Sequence, residues 1–460
     1  MQPKVSMVIP CYNKEKEISR MFDSVIAQTW DNIELILVND GSTDGTRDII
    51  AMYEPKFLKR GYEVKITDQQ NKGLPLTVRE GLSHISGEYV CQVDADDELD
   101  PRYVSSMAGW LFENPDYDWV SCDICCKMPD GEMYINTFPS GIDTDLKIEN
   151  VLFWKICMSI VKFMIRTEFL QSCNVLSYYT EKSGSQESQL IFPLLTQGGK
   201  IKHINESLYT ADYSNLENHL MSPIHSFNDY ERAVKYYSEW YVPVNRTIRM
   251  LPISEYEKER LGALSRLAQL SRVTRYAANM ETPDAALYDS LISEYAKLVE
   301  TDFGISASIL EKYFIPENTD KEVVQMLLDS VEDSILGIPP AKAQVFADKI
   351  YAWGVLGRCG RLWLKYLYGT ALEPGELWDG LADGESVLKP DTGKLTSDDM
   401  VLIFPLKPSM VDEIKRRLES VGCNTMEMID ILAYIRAERF PEIYSAEAKF
   451  TTKIVSVKGD

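Results

Sequence analysis

Two short apolar segments separated by a helical pattern constrain the fold of this chain more than any other feature. Residues 5–10 (VSMVIP) and 33–38 (IELILV) have the composition of short buried strands. Residues 15–28 carry apolar side chains at helical spacing, and a helix from about 47 to 52 follows the second segment. Strands that alternate with helices are typical of βαβ units, so the sequence predicts an α/β fold with a parallel sheet.

An acidic run follows a third apolar segment, residues 88–92 (EYVCQ). It places Asp94, Asp96 and Asp97 close together. Carboxylates at this spacing repel one another and cannot be buried unpaired, so solvent or a cation must offset their charge. Asp94 and Asp96 are spaced to turn toward one divalent ion, and oxygen ligands suit Mg²⁺ or Mn²⁺. An isolated pair of this kind more often forms a solvated acidic loop, but its position after a strand favours a metal site.

Polar residues also follow the first two predicted strands. Pro10, Tyr12 and Asn13 lie at the end of the first strand, and Asp40 lies just after the second. Ligands of parallel α/β sheets bind beyond the carboxyl ends of the strands. We therefore expect these residues and the acidic run to meet at one edge of one sheet.

Six short runs give the first half of the chain a family resemblance. They are VIPCYNK at 8–14, SVIAQT at 24–29, VNDGSTD at 38–44, NKG at 71–73, SGEYV at 86–90 and DADD at 94–97. In this order and at this spacing they resemble the family 2 glycosyltransferases of the GT-A fold, which are inverting enzymes with nucleotide-sugar donors. The resemblance implies a nucleotide-diphospho-sugar transferase domain, which is Rossmann-like.

The resemblance also implies a donor site. The loop 10–13 would wall the nucleotide base, and Asp40 would hydrogen-bond a uracil ring. Asp94 and Asp96 would hold the ribose, the diphosphate and a Mn²⁺ or Mg²⁺ cofactor. The small-molecule partner is then a nucleotide sugar, with UDP as the expected nucleotide. The residues that would bind it are Pro10, Tyr12, Asn13, Asp40, Asn71, Lys72, Asp94 and Asp96.

The catalytic base of the family is usually an Asp that follows a Glu, after an acceptor-side helix. Residues 158–170 look like that helix, and the best counterpart of the acidic pair lies in GSQESQL at 184–190. Glu187 would then be the base, with Gln186 in place of the Glu. The favourable interaction of an acid with a helix N-terminus explains Glu187 equally well. Glu181 is the next nearest carboxylate.

His219 is a further candidate metal ligand. The segment 213–219 parallels one in which the family often carries Ser and His near the diphosphate. The alternative is a lone exposed histidine without a ligand. The resemblance therefore adds His219 to Asp94 and Asp96 as the predicted metal ligands.

Composition narrows the partners and the location of the chain. The net charge of −22 at pH 7 over 460 residues argues against nucleic acid and anionic membrane surfaces as direct electrostatic partners. The most apolar stretch, 150–170, is interrupted by Lys155, Lys162 and Arg166, so no transmembrane helix is expected. No signal peptide is expected at the start of the chain. Nine cysteines without zinc-like spacing predict reduced thiols. We expect a cytoplasmic protein, either free or peripheral at the inner face of the membrane.

Three domains are predicted. Residues 1–223 would form the GT-A catalytic domain, and 224–340 a helical region that braces it or joins copies of the chain into a homo-oligomer. Residues 341–460 would form a small Rossmann-like α/β domain, because Ala352, Gly354 and Gly357 match a dinucleotide fingerprint with its first glycine replaced. A packed turn without a ligand is the alternative reading of these glycines.

Three functions compete at this point. The first is an inverting glycosyltransferase that moves a sugar to a hydroxyl of a glycan or lipid-linked acceptor in polysaccharide synthesis. The second is a sugar-nucleotide nucleotidyltransferase, which would carry a glycine- and arginine-rich phosphate loop where residues 10–14 (PCYNK) stand. The third is a catalytically silent GT-A module that binds a nucleotide sugar or glycan. Gln186 keeps the third alternative open.

Overall fold

The structure is a computed structural model of the 460-residue chain, and it forms two compact units. They are Met1–Tyr276 with Met280–Thr282, and Ala277–Asn279 with Pro283–Asp460. The three domain boundaries predicted from the sequence remain a prediction. The described residues are 2–131, 133–136, 146–155, 159–180, 185–214, 230–280, 285–307, 321–337, 349–355, 367, 370, 372–379, 387–404, 408–419, 421–427, 431 and 434–436.

The first unit is built on one mixed sheet. Its order is β3-β2-β1-β4-β8-β6-β9-β5, with β7 paired to β6. The pairs among β1 to β4 are parallel, and β8 runs antiparallel to both of its neighbours. The strands are β1 Val5–Cys11, β2 Ile33–Asn39, β3 Glu63–Asp68, β4 Tyr89–Gln92, β5 Glu98–Leu99, β6 Trp119–Lys127, β7 Met133–Asn136, β8 Phe163–Arg166 and β9 Ile201–Asp212.

Helices connect and cover these strands. Two 3₁₀ turns, Ile160–Lys162 and Val175–Ser177, supplement the α-helices. The helices that begin in the first unit are α1 Ile18–Ile26, α2 Thr46–Arg60, α3 Leu74–Leu82, α4 Tyr103–Glu113, α5 Ile148–Leu152, α6 Thr167–Ser172, α7 Gln186–Thr196, α8 Tyr230–Met250 and α9 Glu255–Asn279. The second unit contains α10 Ala285–Phe303 and α11 Lys321–Ile335. The helical patterns expected after residue 223 are thus confirmed.

The predicted N-terminal βαβ unit is confirmed, and apolar burial explains it. Every residue of β1 and β2 is buried, as expected for strands covered on both faces. Helix α1 packs Phe22 against Tyr53 and Phe57 of α2, with ring centroids 5.2 Å from Phe22 in both cases. Helix α2 is longer than predicted because Tyr53 and Phe57 extend its buried stripe. It ends at Gly61, whose φ of 95° suits a glycine cap.

The predicted helix over residues 158–170 is wrong for most of its length. Residues 163–166 form β8, and only the short α6 follows. Strand β8 lies between β4 and β6, and its apolar residues are buried. A short apolar run buried on both faces has no period that separates strand from helix, so pairing with the sheet decided the outcome.

The cysteines behave as expected in the described part of the chain. None of the seven cysteines there forms a disulfide, and Cys122, Cys125 and Cys126 lie on β6. Burial raises the pKa of Cys91 and of Cys122 to about 12. Thiols with raised pKa are poor nucleophiles, so these residues act as small core side chains.

The second unit contains a small parallel sheet of order β11-β10-β12-β13. Its elements are β10 Ile350–Trp353, β11 Glu376–Trp378, β12 Met400–Ile403, β13 Asn424–Glu427 and helix α12 Pro408–Leu418. Strand β10 contains Ala352, and Gly354 turns the chain after this strand with a φ of 85°. Gly357 lies outside the described residues. The Rossmann-like character of this unit and its dinucleotide binding remain predictions.

A helix must be both long and apolar to cross a membrane. None of the helices in the described ranges is both long and apolar enough to cross a bilayer.

Glu34 is a fully buried carboxylate in the middle of the first sheet. It accepts hydrogen bonds from Ser6 Oγ, from the backbone N–H groups of Ser86 and Gly87, and from Lys65 Nζ at 3.0 Å. Burial acts to raise its pKa, but the hydrogen bonds from Ser6, Ser86 and Lys65 outweigh burial and lower the pKa to about 2. These contacts join β1, β2, β3 and the turn before β4.

We expect Glu34→Gln to lower the free energy of unfolding at pH 7 by about 3 kcal/mol, because the native state favours the ionised group. A pKa lowered from 4.5 stabilises the native state above pH 4.5, and this contribution is lost as the pH falls toward 2. Urea unfolding at neutral and acid pH measures the difference between parent and variant. Glu63→Gln, in an exposed pair with Lys4, is the control. Equal losses in both variants would contradict the prediction.

Candidate functional site

The carboxyl ends of β2, β1 and β4 lie side by side, because these strands are neighbours in parallel register. The loops after β1 and β2 are joined by hydrogen bonds. Asn13 N–H donates to Ser42 Oγ at 3.1 Å, and Thr43 N–H donates to Asn13 Oδ1 at 2.8 Å. Lys14 Nζ reaches the loop after β4 and contacts Asp96 Oδ2 at 2.6 Å. The predicted meeting of the three loops at one edge is confirmed.

The acidic loop holds one carboxylate in an unfavourable place. Asp94 is half-buried; its N–H donates to Tyr209 Oη at 3.1 Å, and Gln92 Nε2 donates to its Oδ1 at 3.2 Å. Burial raises the pKa of Asp94 to about 7, and the nearby charges of Asp96 and Glu187 add to the effect. A cation placed beside Asp94 would therefore stabilise its ionised form.

Asp97 has a structural role in this loop. Its side chain is buried, and it accepts hydrogen bonds from Tyr209 Oη at 2.6 Å and from Asp212 N–H at 3.0 Å. Burial raises its pKa well above the usual range for an aspartate. Asp97 therefore anchors the acidic loop to β9, and Asp94 and Asp96 are left toward the edge of the sheet.

Three cations surround the acidic loop. Lys14 pairs with Asp96, while Arg20 donates to the carbonyl oxygen of Asp96 and lies 2.7 Å from Asp212 Oδ2. Lys127 approaches the same carboxylate at 3.4 Å. The local charge at this edge is thus more balanced than the net charge of the chain, which suits an anionic ligand.

The donor set at this edge fits a divalent ion only in part. No group of three or more His, Cys, Asp or Glu side chains in the described ranges forms a ready metal cage. Asp94 and Asp96 supply two carboxylates whose mutual repulsion raises the pKa of Asp94. Mg²⁺ is commonly held by one or two carboxylates together with substrate phosphates, so this pair fits such an ion. His219 lies outside the described residues.

Asp40 is buried and clamps a neighbouring loop. Its Oδ1 accepts hydrogen bonds from Gln69 Nε2 at 2.7 Å and Lys72 N–H at 2.8 Å, and its Oδ2 accepts one from Gly73 N–H at 2.9 Å. Gly73 caps α3 with a φ of 86°, a conformation that favours glycine. Asp40 thus fixes the loop that carries Asn71 and Lys72, both of which are exposed.

Glu187 lies in the first turn of α7, close to the acidic loop. Ser185 Oγ accepts a hydrogen bond from Ser188 N–H at 3.2 Å and donates to Glu187 Oε2 at 3.1 Å. Burial raises the pKa of Glu187, and its charge raises the pKa of Asp94. Gln186, which follows Ser185, accepts from Gln92 Nε2 at 3.5 Å, so the start of α7 meets the end of β4.

Comparison with known proteins identifies the N-terminal part of the chain. Residues 6–176 match the model of glycosyl transferase family 2. This segment is similar to the family 2 glycosyltransferases. The match covers β1 to β8 and the acidic loop. The family 2 resemblance and the α/β GT-A fold class, both predicted from the sequence, are therefore confirmed for this segment.

Individual relatives are similar to parts of this chain. The glycosyltransferase GlyA of Streptococcus pneumoniae is 36% identical over 104 residues, which are 23% of this chain and 14% of GlyA. The uncharacterized glycosyltransferase EpsJ of Bacillus subtilis is 27% identical over 215 residues, 45% of this chain and 61% of EpsJ. The chain thus spans less than two thirds of either relative. The structure of S. aureus TarS 1–349 with UDP-GlcNAc is 18% identical, with a TM-score of 0.45 and coverage of 71% of this chain and 91% of that one.

Several contacts of the candidate site were not visible in the sequence. Tyr209 and Asp212 of β9 bind the acidic loop, and Arg20 of α1 reaches it from another direction. No spacing pattern links these residues to the acidic run, because the sheet brings distant segments together. The alternation of apolar and polar residues near the end of β9 was the one available indication.

Proposed function

We propose that this chain transfers a sugar from a nucleotide-diphosphate sugar to a hydroxyl acceptor with inversion of the anomeric centre. The observation that carries the proposal is the position of Glu187 near Asp94, where the start of α7 meets the end of β4. An acidic pair for the donor and a separate buried carboxylate for the acceptor are the two parts that such a transfer needs. The match of residues 6–176 to glycosyl transferase family 2 supports this assignment.

The donor is proposed to be a UDP-sugar held by the three loops. The exposed ring of Tyr12 and the neighbouring Pro10 and Asn13 would wall the base. Asn71 and Lys72, on the loop that Asp40 clamps, would complete the donor site. Lys14 lies at the same edge of the sheet, and its ammonium group would bind the diphosphate.

A divalent ion is proposed as the cofactor. Asp94 and Asp96 would hold Mn²⁺ or Mg²⁺, with His219 as a further candidate ligand. When bound, such an ion neutralises the charge that develops on a departing diphosphate. The pKa of Asp94, raised by burial and by the charge of Asp96, supports the proposal, because a nearby cation would stabilise the ionised carboxylate against both effects.

Glu187 is proposed as the general base. Its carboxylate would take the proton of the acceptor hydroxyl as that oxygen forms a bond to the anomeric carbon. The bond from that carbon to the diphosphate oxygen breaks, and the nucleoside diphosphate leaves with the electron pair. Burial raises the pKa of Glu187 above its usual value, which brings the base closer to the working pH and makes proton transfer more favourable.

The acceptor and the cellular location of the protein are also proposed from the resemblance to family 2. The acceptor would be a glycan or a lipid-linked sugar used in polysaccharide synthesis. A cytoplasmic location, free or peripheral at the membrane, fits a nucleotide-sugar donor. Homo-oligomer formation through the helices that follow residue 230 remains a prediction.

Release of the nucleoside diphosphate tests the function. Purified full-length protein would be incubated with Mn²⁺, UDP-sugars and a set of oligosaccharide acceptors, and UDP release would be measured. Transfer or donor hydrolysis above background supports the proposal. Stabilisation of the protein by UDP with Mn²⁺ but no turnover with any donor would favour a silent module, in which Gln186 reflects loss of the acidic pair.

The role of Asp40 gives a separate prediction. We expect Asp40→Asn to weaken UDP binding by about 1–3 kcal/mol. This is the cost of replacing the charged acceptor in the proposed buried hydrogen bond between Asp40 and the uracil ring. The same change also disturbs the loop 69–73, so Gln69→Ala serves as the control because it removes one loop contact and keeps the carboxylate. Calorimetric titration with UDP measures both. Equal losses in the two variants would show that Asp40 acts only through the loop.

A further inference from the structure

An aromatic strip lies on the surface of the first unit. It consists of Trp154, which follows α5, of Tyr236 and Trp240 on α8, and of Arg272 on α9. The indoles of Trp154 and Trp240 meet edge to face with centroids 5.6 Å apart. The guanidinium of Arg272 stacks 3.4 Å from the centre of the Trp154 ring. Trp154 is 40% exposed, so a large part of an electron-rich ring is open to a ligand.

Trp154 is held in a strained backbone conformation. Its φ is 53°, in the left-handed region, where glycine is the usual residue after a helix. Trp154 N–H donates to the Val151 carbonyl at 3.1 Å and Lys155 N–H donates to the Asn150 carbonyl at 2.9 Å, so the turn is a helix cap. A tryptophan at a position that suits glycine costs conformational energy. Such strain is often found at functional sites, so it suggests that the Trp154 ring contacts a ligand.

The aromatic strip begins beside the candidate base. Helix α8 packs against α7, whose first turn carries Glu187. Burial raises the pKa of Tyr236 to about 12, and the negative charge of Glu187 contributes to that shift. Tyr236 and Trp240 are four residues apart on α8 and therefore lie on the same face of the helix. The strip thus leads from Glu187 through Tyr236 and Trp240 to Trp154.

We propose that the aromatic strip is the acceptor subsite and that it binds a pyranose ring stacked on Trp154. A pyranose presents a face of polarised C–H groups, which an indole attracts through the negative charge of its π face. Arg272 covers part of the indole and holds it in place, so the ring is ready to receive a sugar. The proposal rests on the proposed function, because it takes Glu187 as the base toward which the strip delivers a hydroxyl.

Three substitutions of Trp154 separate a sugar site from a general apolar surface. Trp154→Gly removes the ring and also relieves the left-handed backbone strain, so this variant is expected to fold. Trp154→Leu keeps an apolar side chain without a π face, and Trp154→Phe keeps a smaller aromatic ring. Phe112→Ala, which removes another exposed aromatic side chain on α4, is the matched control.

The probes are maltotetraose, cellotetraose, chitotetraose and mannotetraose, titrated calorimetrically into the full-length protein with UDP and Mn²⁺ present. We expect at least one to bind, with affinity reduced roughly three- to tenfold or more in the Gly and Leu variants, and largely kept in the Phe variant. The Phe112→Ala variant should bind like the parent.

Other outcomes overturn the assignment. Full sugar affinity in the Leu variant would mean that the sugar does not stack on the ring of Trp154. Binding of the parent to phosphatidylglycerol vesicles, lost in the Gly variant and without any sugar binding, would assign the strip to a membrane. If UDP binds but none of the four sugars does, the acceptor subsite is wrong while the donor site stands. Absence of UDP binding in the parent would instead refute the proposed function.

Discussion

Glu187→Gln is expected to lower the turnover of the nucleotide sugar by about 10²–10⁴-fold while nucleotide binding stays unchanged. The amide keeps the size of the side chain and can still accept the hydrogen bond from Ser185 Oγ, but it cannot take a proton. The cap of α7 is unaffected, because that cap uses Ser185 and Ser188. Steady-state UDP release and UDP titration on the same preparation separate the two effects.

The same variant has a second, independent signature in stability. Burial raises the pKa of Glu187 in the folded chain, so ionisation at neutral pH disfavours the native state. This penalty is absent at a pH below the ordinary glutamate pKa, grows as the pH rises from that value to the raised pKa, and is constant above it. Glu187→Gln removes the penalty and is therefore expected to unfold at an equal or higher temperature than the parent at pH 7.

Glu113→Gln, an exposed change at the end of α4, is the control for both measurements. A fall in stability and in UDP binding together would mark Glu187 as a structural residue. Unchanged turnover in a stable variant would place the base elsewhere, and Glu181 would then be the next carboxylate to replace.

The sequence predicted the parts of the fold that depend on local pattern. Strands β1 and β2 are continuous apolar runs buried along their whole length, and the polar residues that end them mark one edge of the sheet. Parallel pairing then places Asp40 and the acidic run close together without further information. The helix pattern after residue 230 was equally clear, because each helix is long and amphipathic.

The failures come from interactions between distant segments. Strand β8 resembled a helix because its burial on both faces leaves no period, and only its partners β4 and β6 decide its conformation. The contacts of Asp40 with the loop 69–73, which use both of its oxygens, were also not foreseen, and its hydrogen bond to a uracil ring remains a prediction. Asp97, adjacent to the predicted metal ligands, turned out to be the residue that anchors their loop.

Asp96→Ala should abolish the dependence of donor binding on a divalent ion. In the structure Asp96 contacts Lys14 Nζ at 2.6 Å, so the lysine would compete with a metal ion for this carboxylate. Removing Asp96 takes away one of the two proposed ligands and also releases Lys14. With Mn²⁺, UDP affinity is expected to fall by at least about 10–100-fold, since changes even beyond the ligands of a metal have effects of that size.

The two consequences of Asp96→Ala have opposite signs, which makes the test sharp. With EDTA in place of Mn²⁺, the freed ammonium of Lys14 can pair with the diphosphate, so UDP affinity should be equal to or higher than that of the parent. The fold should persist, because Asp97 anchors the loop to β9. Glu98→Ala, an exposed carboxylate two residues further on, is the control. If UDP binds equally well to parent and variant with Mn²⁺, Asp96 is not a metal ligand. If the variant loses the same UDP affinity with Mn²⁺ and with EDTA, Asp96 acts on the donor without a metal.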